Sequence, residues 1–280
     1  MGCSFTLGHE VEDTETWPYL LDEGDESTEI LNLGVNAYGL DQCLLRYLRD
    51  GRGAEADEVW LGWLPAVSLR LGSMYRPAAN HWSGPILFKP RYRMGDAALE
   101  LIPNPSRSLA QTYRLLISQD QFLNAIADDD LWIRRARTAY APMGTFWLHR
   151  TGLGRLSLAY SEKGGRDPAA LLENEASEIR ELVLRIVADF RMEAERDGSR
   201  FRLLVLPGED ALRFHRDEGR GYWDGVVAKL RLAGTEVIDL TNACLAAGML
   251  DDRTAWQTGA HYSPAGNGIV ATALKHAVNG

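Results

Sequence analysis

Two residues at opposite ends of the chain have the chemistry of a nucleophile and its base. Ser4 lies in the opening stretch MGCSFTLG, and His261 opens the stretch HYSPAGN. A Gly-x-Ser step that leaves a strand puts a hydroxyl at the strand's carboxyl end, beside the N-terminus of the next helix. Backbone N–H groups there point at whatever the serine attacks, and the helix dipole favours developing negative charge. A serine hydroxyl is inert at neutral pH without a base, and histidine, with an ordinary pKa of about 6.5, suits that role. Ser263 caps the helix after His261 and Pro264 takes its first position, so the element that follows the histidine fixes it. Either residue alone reads as an ordinary turn serine or surface histidine. Their meaning depends on the elements between them.

Those elements alternate. Thr28 to Leu33, Glu58 to Leu64, Phe201 to Leu206 and Glu236 to Leu240 are short apolar runs with β-branched or aromatic residues, and read as buried strands. Leu40 to Arg49, with Leu44, Leu45 and Leu48 on one face, reads as a helix closed by Gly51. A longer helix is expected from Pro168 to Glu195. Its apolar positions Leu172, Ala176, Ile179, Val183, Ile186 and Phe190 step by alternating fours and threes, with Asp167 as N-cap. Tyr222 to Leu232 and Ser263 to Val278 read as further helices. Strands alternating with helices imply a parallel sheet covered on both faces, and the right-handed crossover rule favours a flavodoxin-like, three-layer α/β/α layout. Residues 65–165 break this rhythm. They hold a hairpin near Lys89 to Ile102 and a helix near Ala110 to Ala127, and read as a long insertion within a single domain spanning 1–280.

The rest of the composition excludes several classes. A formal net charge of −9 without a Lys/Arg block argues against nucleic acid as a partner. The acidic runs Glu10 to Glu15 and Asp22 to Glu29 read as solvated loops. Cys3, Cys43 and Cys244 have no metal-ligand spacing and read as reduced, buried thiols. No metal and no cofactor is expected. No run approaches the roughly 18 apolar residues of a membrane helix, so no membrane partner is expected. No basic-then-apolar leader is visible, so a cytoplasmic location is expected. Met1 to Ser4 reads as the end of a strand whose first half lies upstream.

With the elements placed, three blocks resemble the SGNH/GDSL hydrolase superfamily. GCSFTLG resembles the first block, usually Gly-Asp-Ser. NLGVNAYGLDQ, at Asn32 to Gln42, resembles the second block, preceded by the Asp-x-Glu-Thr-Trp-Pro pattern at Asp13 to Pro18. AHYSPAGNGIVATAL, at Ala260 to Leu274, resembles the last block. The resemblance implies a serine hydrolase acting on a small acyl ester, an O-acetyl group on a glycan being one candidate. Ser4 would be the nucleophile and His261 the general base. The oxyanion hole would use the Ser4 N–H, the Ala37 N–H and an asparagine side chain from a third block.

Four positions depart from the family. Cys3 replaces the usual Asp of the first block. It could itself be a nucleophile, but its side chain should point away from Ser4, and a buried inert thiol fits better. Ala37 stands where glycine is common, which limits the backbone to φ values an alanine tolerates. Ala66 and Val67 occupy the place of the third-block polar residue, and Asn36 or Asn80 are candidate replacements. Thr258 stands where the family has the acid that orients the histidine. The candidates for that role are Thr258 itself, Asp252 or neighbouring Asp251 reaching back, or a backbone carbonyl supporting a Ser–His dyad. The losses leave two other functions open: a catalytically impaired SGNH-like protein that binds a ligand or partner, and an O-acyltransferase. Among the aromatics, Trp63, Tyr75, Trp82 and Trp147 are candidates for a sugar platform, with core packing as the competing role.

Overall fold

The computed structural model describes residues 1–23, 28–79, 87–96, 98–140 and 166–279. The chain divides into two compact units, one of Met1–Ser68 with Val183–Gly280 and one of Leu69–Leu182. The sequence expectation is an insertion at 65–165 within one domain; the second unit runs from Leu69 to Leu182.

The first unit is α/β. Its sheet has three parallel strands, β1 (Glu58–Trp63), β2 (Arg200–Val205) and β3 (Glu236–Asp239), in the order β1-β2-β3. Extended backbone continues this sheet past β1. The Met1 amine donates to Trp60 O at 2.9 Å, and Gly62 N–H donates to Met1 O at 2.9 Å. Gly2 bridges Gly34 in parallel, and Val35 N–H donates to Gly2 O at 3.0 Å. The spatial order is therefore 34–35, 1–2, β1, β2, β3.

Alternation along β2 sends its side chains to two different layers. Phe201 meets Phe190 of the helix Glu178–Arg196, and Phe190 meets Tyr47. Leu204 joins a second cluster with Phe5, Trp17, Leu212, Cys244, Tyr262, Val270 and Leu274. Helices thus cover both faces, as the apolar strands require.

Among the described residues, several elements differ from the sequence expectation for local reasons. Thr28 to Leu33 forms no strand. Leu31 is 54% exposed, and side chains take the place of a ladder: Asp22 accepts Ile30 N–H, and Asn32 Nδ2 donates to Thr6 O. The helix expected over Pro168–Glu195 is two, Pro168–Glu173 and Glu178–Arg196. Asn174 turns the chain by accepting Ala176 N–H on its side chain and Ser177 N–H on its carbonyl, a local competition typical of asparagine. Ala176 consequently lies exposed, while Ile179, Val183, Ile186 and Phe190 are buried as the stripe requires.

In the second unit the hairpin pairs Arg91–Met94 with Leu99–Ile102 in antiparallel register. The single helix expected over 110–127 is split at Ser118, which adopts an extended conformation and caps the second piece, Gln119–Ile126, following Leu109–Ile117. Asp130 organises this unit from within. It is fully buried, and its two oxygens accept N–H groups of Met74, Tyr75, Trp132 and Ile133.

Candidate active site

Ser4 opens a one-turn helix, Ser4–Leu7, whose N-cap Cys3 follows the bridged Gly2. The first intrahelical bonds run from Thr6 and Leu7 N–H to Cys3 O, both at 3.0 Å. The Ser4 and Phe5 N–H groups precede them and have no intrahelical acceptor. Gly8 ends the turn in the left-handed region, at φ 82°. Two side chains tie this turn down, and a third bond carries the link onward. Asn32 donates to Thr6 O at 2.8 Å, Trp17 Nε1 donates to Phe5 O at 3.0 Å, and Trp17 N–H donates to Asn267 Oδ1 at 3.0 Å. Trp17, reached through Thr16 as cap of the helix Trp17–Asp22, thus links the first block to the last.

His261 is held by its followers. Tyr262 is buried, its Oη donates to Pro207 O at 2.7 Å, and its ring meets Phe5 edge-on. Burial pushes the Tyr262 phenol well above its ordinary pKa, so it stays a neutral donor. Ser263 N–H donates to Ala255 O at 3.0 Å, and Ser263 Oγ accepts Gly266 N–H at the start of the helix Pro264–Asn279. Gly266 has no room for a side chain: a Cβ there would lie 2.2 Å from Ala255 O.

These anchors bring the two ends of the chain together. His261 Nε2 lies 2.9 Å from Ser4 Oγ. The other ring nitrogen, Nδ1, lies 2.7 Å from Glu10 Oε2. The imidazole stacks obliquely on Phe5 and meets the His9 ring edge-on, with centroids 5.1 Å and 5.0 Å away. Ser4 is buried at 3% exposure, while the side chains of His261 and Glu10 are 20% and 29% exposed. The hydroxyl is thus buried, the ring lies between it and the carboxylate, and the carboxylate is the more exposed end of the chain of contacts.

The candidate acids from the sequence lie elsewhere. Thr258 is exposed and Asp251 is exposed. Asp252 caps the short turn Arg253–Ala255, accepting Thr254 N–H at 2.8 Å and Thr254 Oγ1–H at 2.6 Å, and these bonds lower its pKa. Glu10, read from the sequence as part of a solvated run, takes the position next to the ring instead. The one signal available was its place six residues after Ser4, on the loop that leaves the nucleophile turn.

Ala37 corrects another expectation. Tyr38 N–H donates to Val35 O, and Ala37, third residue of that turn, has φ 72°. This is a type II turn, which calls for glycine at that place. Alanine there costs about 1–2 kcal/mol in backbone strain. Ala37→Gly is expected to melt at or above the wild-type temperature. Ala37→Val is expected to lose about 1–2 kcal/mol, since a β-branched residue is a genuine outlier at this φ; thermal denaturation of both variants checks it.

The remaining candidates separate cleanly. Ala66 and Val67 pack against the apolar cluster that holds Cys3 and Leu64, so no polar side chain stands at that place. Asn36 is exposed on the Val35–Tyr38 turn, and Asn80 lies outside the described residues. Cys3, Cys43 and Cys244 are all free and buried, and burial pushes the Cys244 thiol up to about 12. Trp63 is fully buried with its Nε1 on Ser68 Oγ, so it presents no face for a sugar, and Tyr75 is half-buried and packs against Phe88 and Phe122. Trp82 and Trp147 lie outside the described residues. Among the described residues, no group of three His, Cys, Asp or Glu side chains could hold a metal ion, and no helix is long and apolar enough to cross a membrane. Neither a protein-family model nor a curated protein matches this chain.

Proposed function

We propose that this chain is a serine hydrolase of the SGNH/GDSL type that cleaves a small acyl ester, such as an O-acetyl group, through an acyl-Ser4 intermediate. The observation that carries this reading is the 2.9 Å contact between Ser4 Oγ and His261 Nε2. The strand order 34–35, 1–2, β1, β2, β3 supports it, being that of flavodoxin-like doubly wound sheets, whose ligands bind outside the carboxyl ends of the strands.

In this mechanism His261 Nε2 takes the Ser4 proton as Oγ attacks the ester carbonyl. The tetrahedral oxyanion is met by the N–H groups of Ser4 and Ala37. The ester C–O bond then breaks, and the leaving alkoxide takes the proton from Nε2. Water repeats the sequence on the acyl-enzyme: it gives a proton to Nε2, releases the acid and restores the Ser4 hydroxyl.

The apolar pair Ala66 and Val67 favours a second reading, an impaired homologue that binds a ligand without efficient turnover. Loss of one oxyanion donor costs roughly 10²–10³ in rate. A fluorophosphonate probe separates the two. Under the first reading it labels Ser4 stoichiometrically, Ser4→Ala is not labelled, and the wild-type protein hydrolyses p-nitrophenyl acetate. Absence of both labelling and turnover in the wild type would leave the second reading standing.

A further inference from the structure

We infer that Glu10 is the positioning residue of this site: its carboxylate fixes the tautomer and orientation of His261, a role the last block of the chain leaves empty. The inference rests on the proposed roles of Ser4 and His261. Glu10 Oε2 is 2.7 Å from Nδ1, and an ionised carboxylate can only accept. In the neutral ring this contact places the proton on Nδ1 and turns the Nε2 lone pair to the Ser4 hydroxyl, 2.9 Å away. That is the tautomer a general base needs.

The surroundings are shaped to hold this carboxylate. Glu10 itself has φ 77°, in the left-handed region. Such strain persists in a non-glycine residue where the surroundings over-determine it. Across from it, Gly259 has no side chain to spare. A Cβ at Gly259 would lie 2.4 Å from Glu10 Oε2 and 2.7 Å from Oε1. The next residue, Ala260, is also left-handed, at φ 62°. Gln257 clamps both partners: its Nε2 donates to Glu10 O at 3.1 Å, and its N–H donates to His261 O at 2.8 Å. Two loops from opposite ends of the chain thus adopt costly backbone geometry at the point where acid and imidazole meet.

The left-handed backbone also supplies the variant that tests the role. Glu10→Gly removes the carboxylate and relieves the φ strain at once. It is expected to melt at or above the wild-type temperature, while kcat for p-nitrophenyl acetate falls about 10²–10⁴-fold and KM changes by less than about threefold. A residue that mattered only for the fold would lose stability and activity together. Glu10→Gln is expected to be at least as slow, because its amide can donate to Nδ1 and favour the wrong tautomer. Added formate is expected to restore part of the Glu10→Gly rate. In the wild type, a strongly downfield imidazole N–H proton signal is expected, lost in both variants. Full kcat in Glu10→Gly and Glu10→Gln, with turnover still abolished by Ser4→Ala, would overturn the inference and leave the proposed function intact. Turnover independent of Ser4 would overturn both.

Discussion

A chain carrying Ser4→Ala and His261→Ala together is expected to hydrolyse p-nitrophenyl acetate no more slowly than either single variant. The reason is that in the proposed mechanism the two groups form one device. Without the ring, the Ser4 hydroxyl keeps its proton and cannot attack; without the hydroxyl, the ring has nothing to activate on the reaction path. In a complete serine triad the loss of either member costs about 10⁶ in kcat, and removing all members costs no more. The contact of 2.9 Å between Oγ and Nε2 predicts the same non-additivity here. What survives is the contribution of the backbone donors and of binding, roughly 10³–10⁴ over water in a full site. Here the residue should be smaller, because Ala66 and Val67 offer no side-chain donor. Single-turnover rates for the wild type, the two single variants and the double variant measure this. Losses that multiply in the double variant would mean that Ser4 and His261 act separately, and the proposed mechanism would fail.

The legibility of this site in the sequence followed the range of the interactions involved. Ser4 and His261 were readable because each sits in a block whose local chemistry is self-contained: a glycine-flanked turn in one case, a Ser-Pro helix start in the other. The central strands β1, β2 and β3 lie where apolar periodicity puts them. Glu10 was not readable in this way. Its partner is 251 positions away, it belongs to an acidic run, and its left-handed backbone leaves no mark in composition. The expectation of an acid three residues before the histidine pointed to Thr258, which is exposed. Thr28 to Leu33 failed for the opposite reason. Its apolar run satisfies the pattern of a strand, but Asn32 uses its side chain to hold the Ser4–Leu7 turn, and the chain joins the sheet only after the run, at Gly34 and Val35. Long-range polar contacts, from Asn32 and from Glu10, decided what periodicity could not.

Gly34→Ala is expected to damage stability and catalysis together. At Gly34 the second block presses against the Ser4–Leu7 turn, backbone to backbone. A Cβ there would lie 2.4 Å from Leu7 N, 2.8 Å from Thr6 C and 2.9 Å from Leu7 Cα. None of these atoms is the end of a flexible side chain, so one segment must move. Gly34 is not left-handed, so the cost is steric and not conformational. Forcing a methyl into a packed region costs about 1–3 kcal/mol, which lowers Tm by roughly 3–10 °C in a domain of this size. The catalytic effect comes from where the displacement is felt. Thr6 and Leu7 belong to the same one-turn helix as Ser4, and the Gly2–Gly34 bridge sets the second block, with Ala37, beside it. A shift approaching 1 Å between nucleophile and oxyanion donor costs on the order of 10² in kcat. Gly268→Ala is the matched control. It sits in the helix Pro264–Asn279 with no atom within 4 Å of the added methyl, and should gain about 0.5–1 kcal/mol with kcat unchanged. Thermal denaturation and p-nitrophenyl acetate kinetics on both variants decide the matter. A Gly34→Ala protein with wild-type Tm and kcat would show that the second block is not held against Ser4 by this contact.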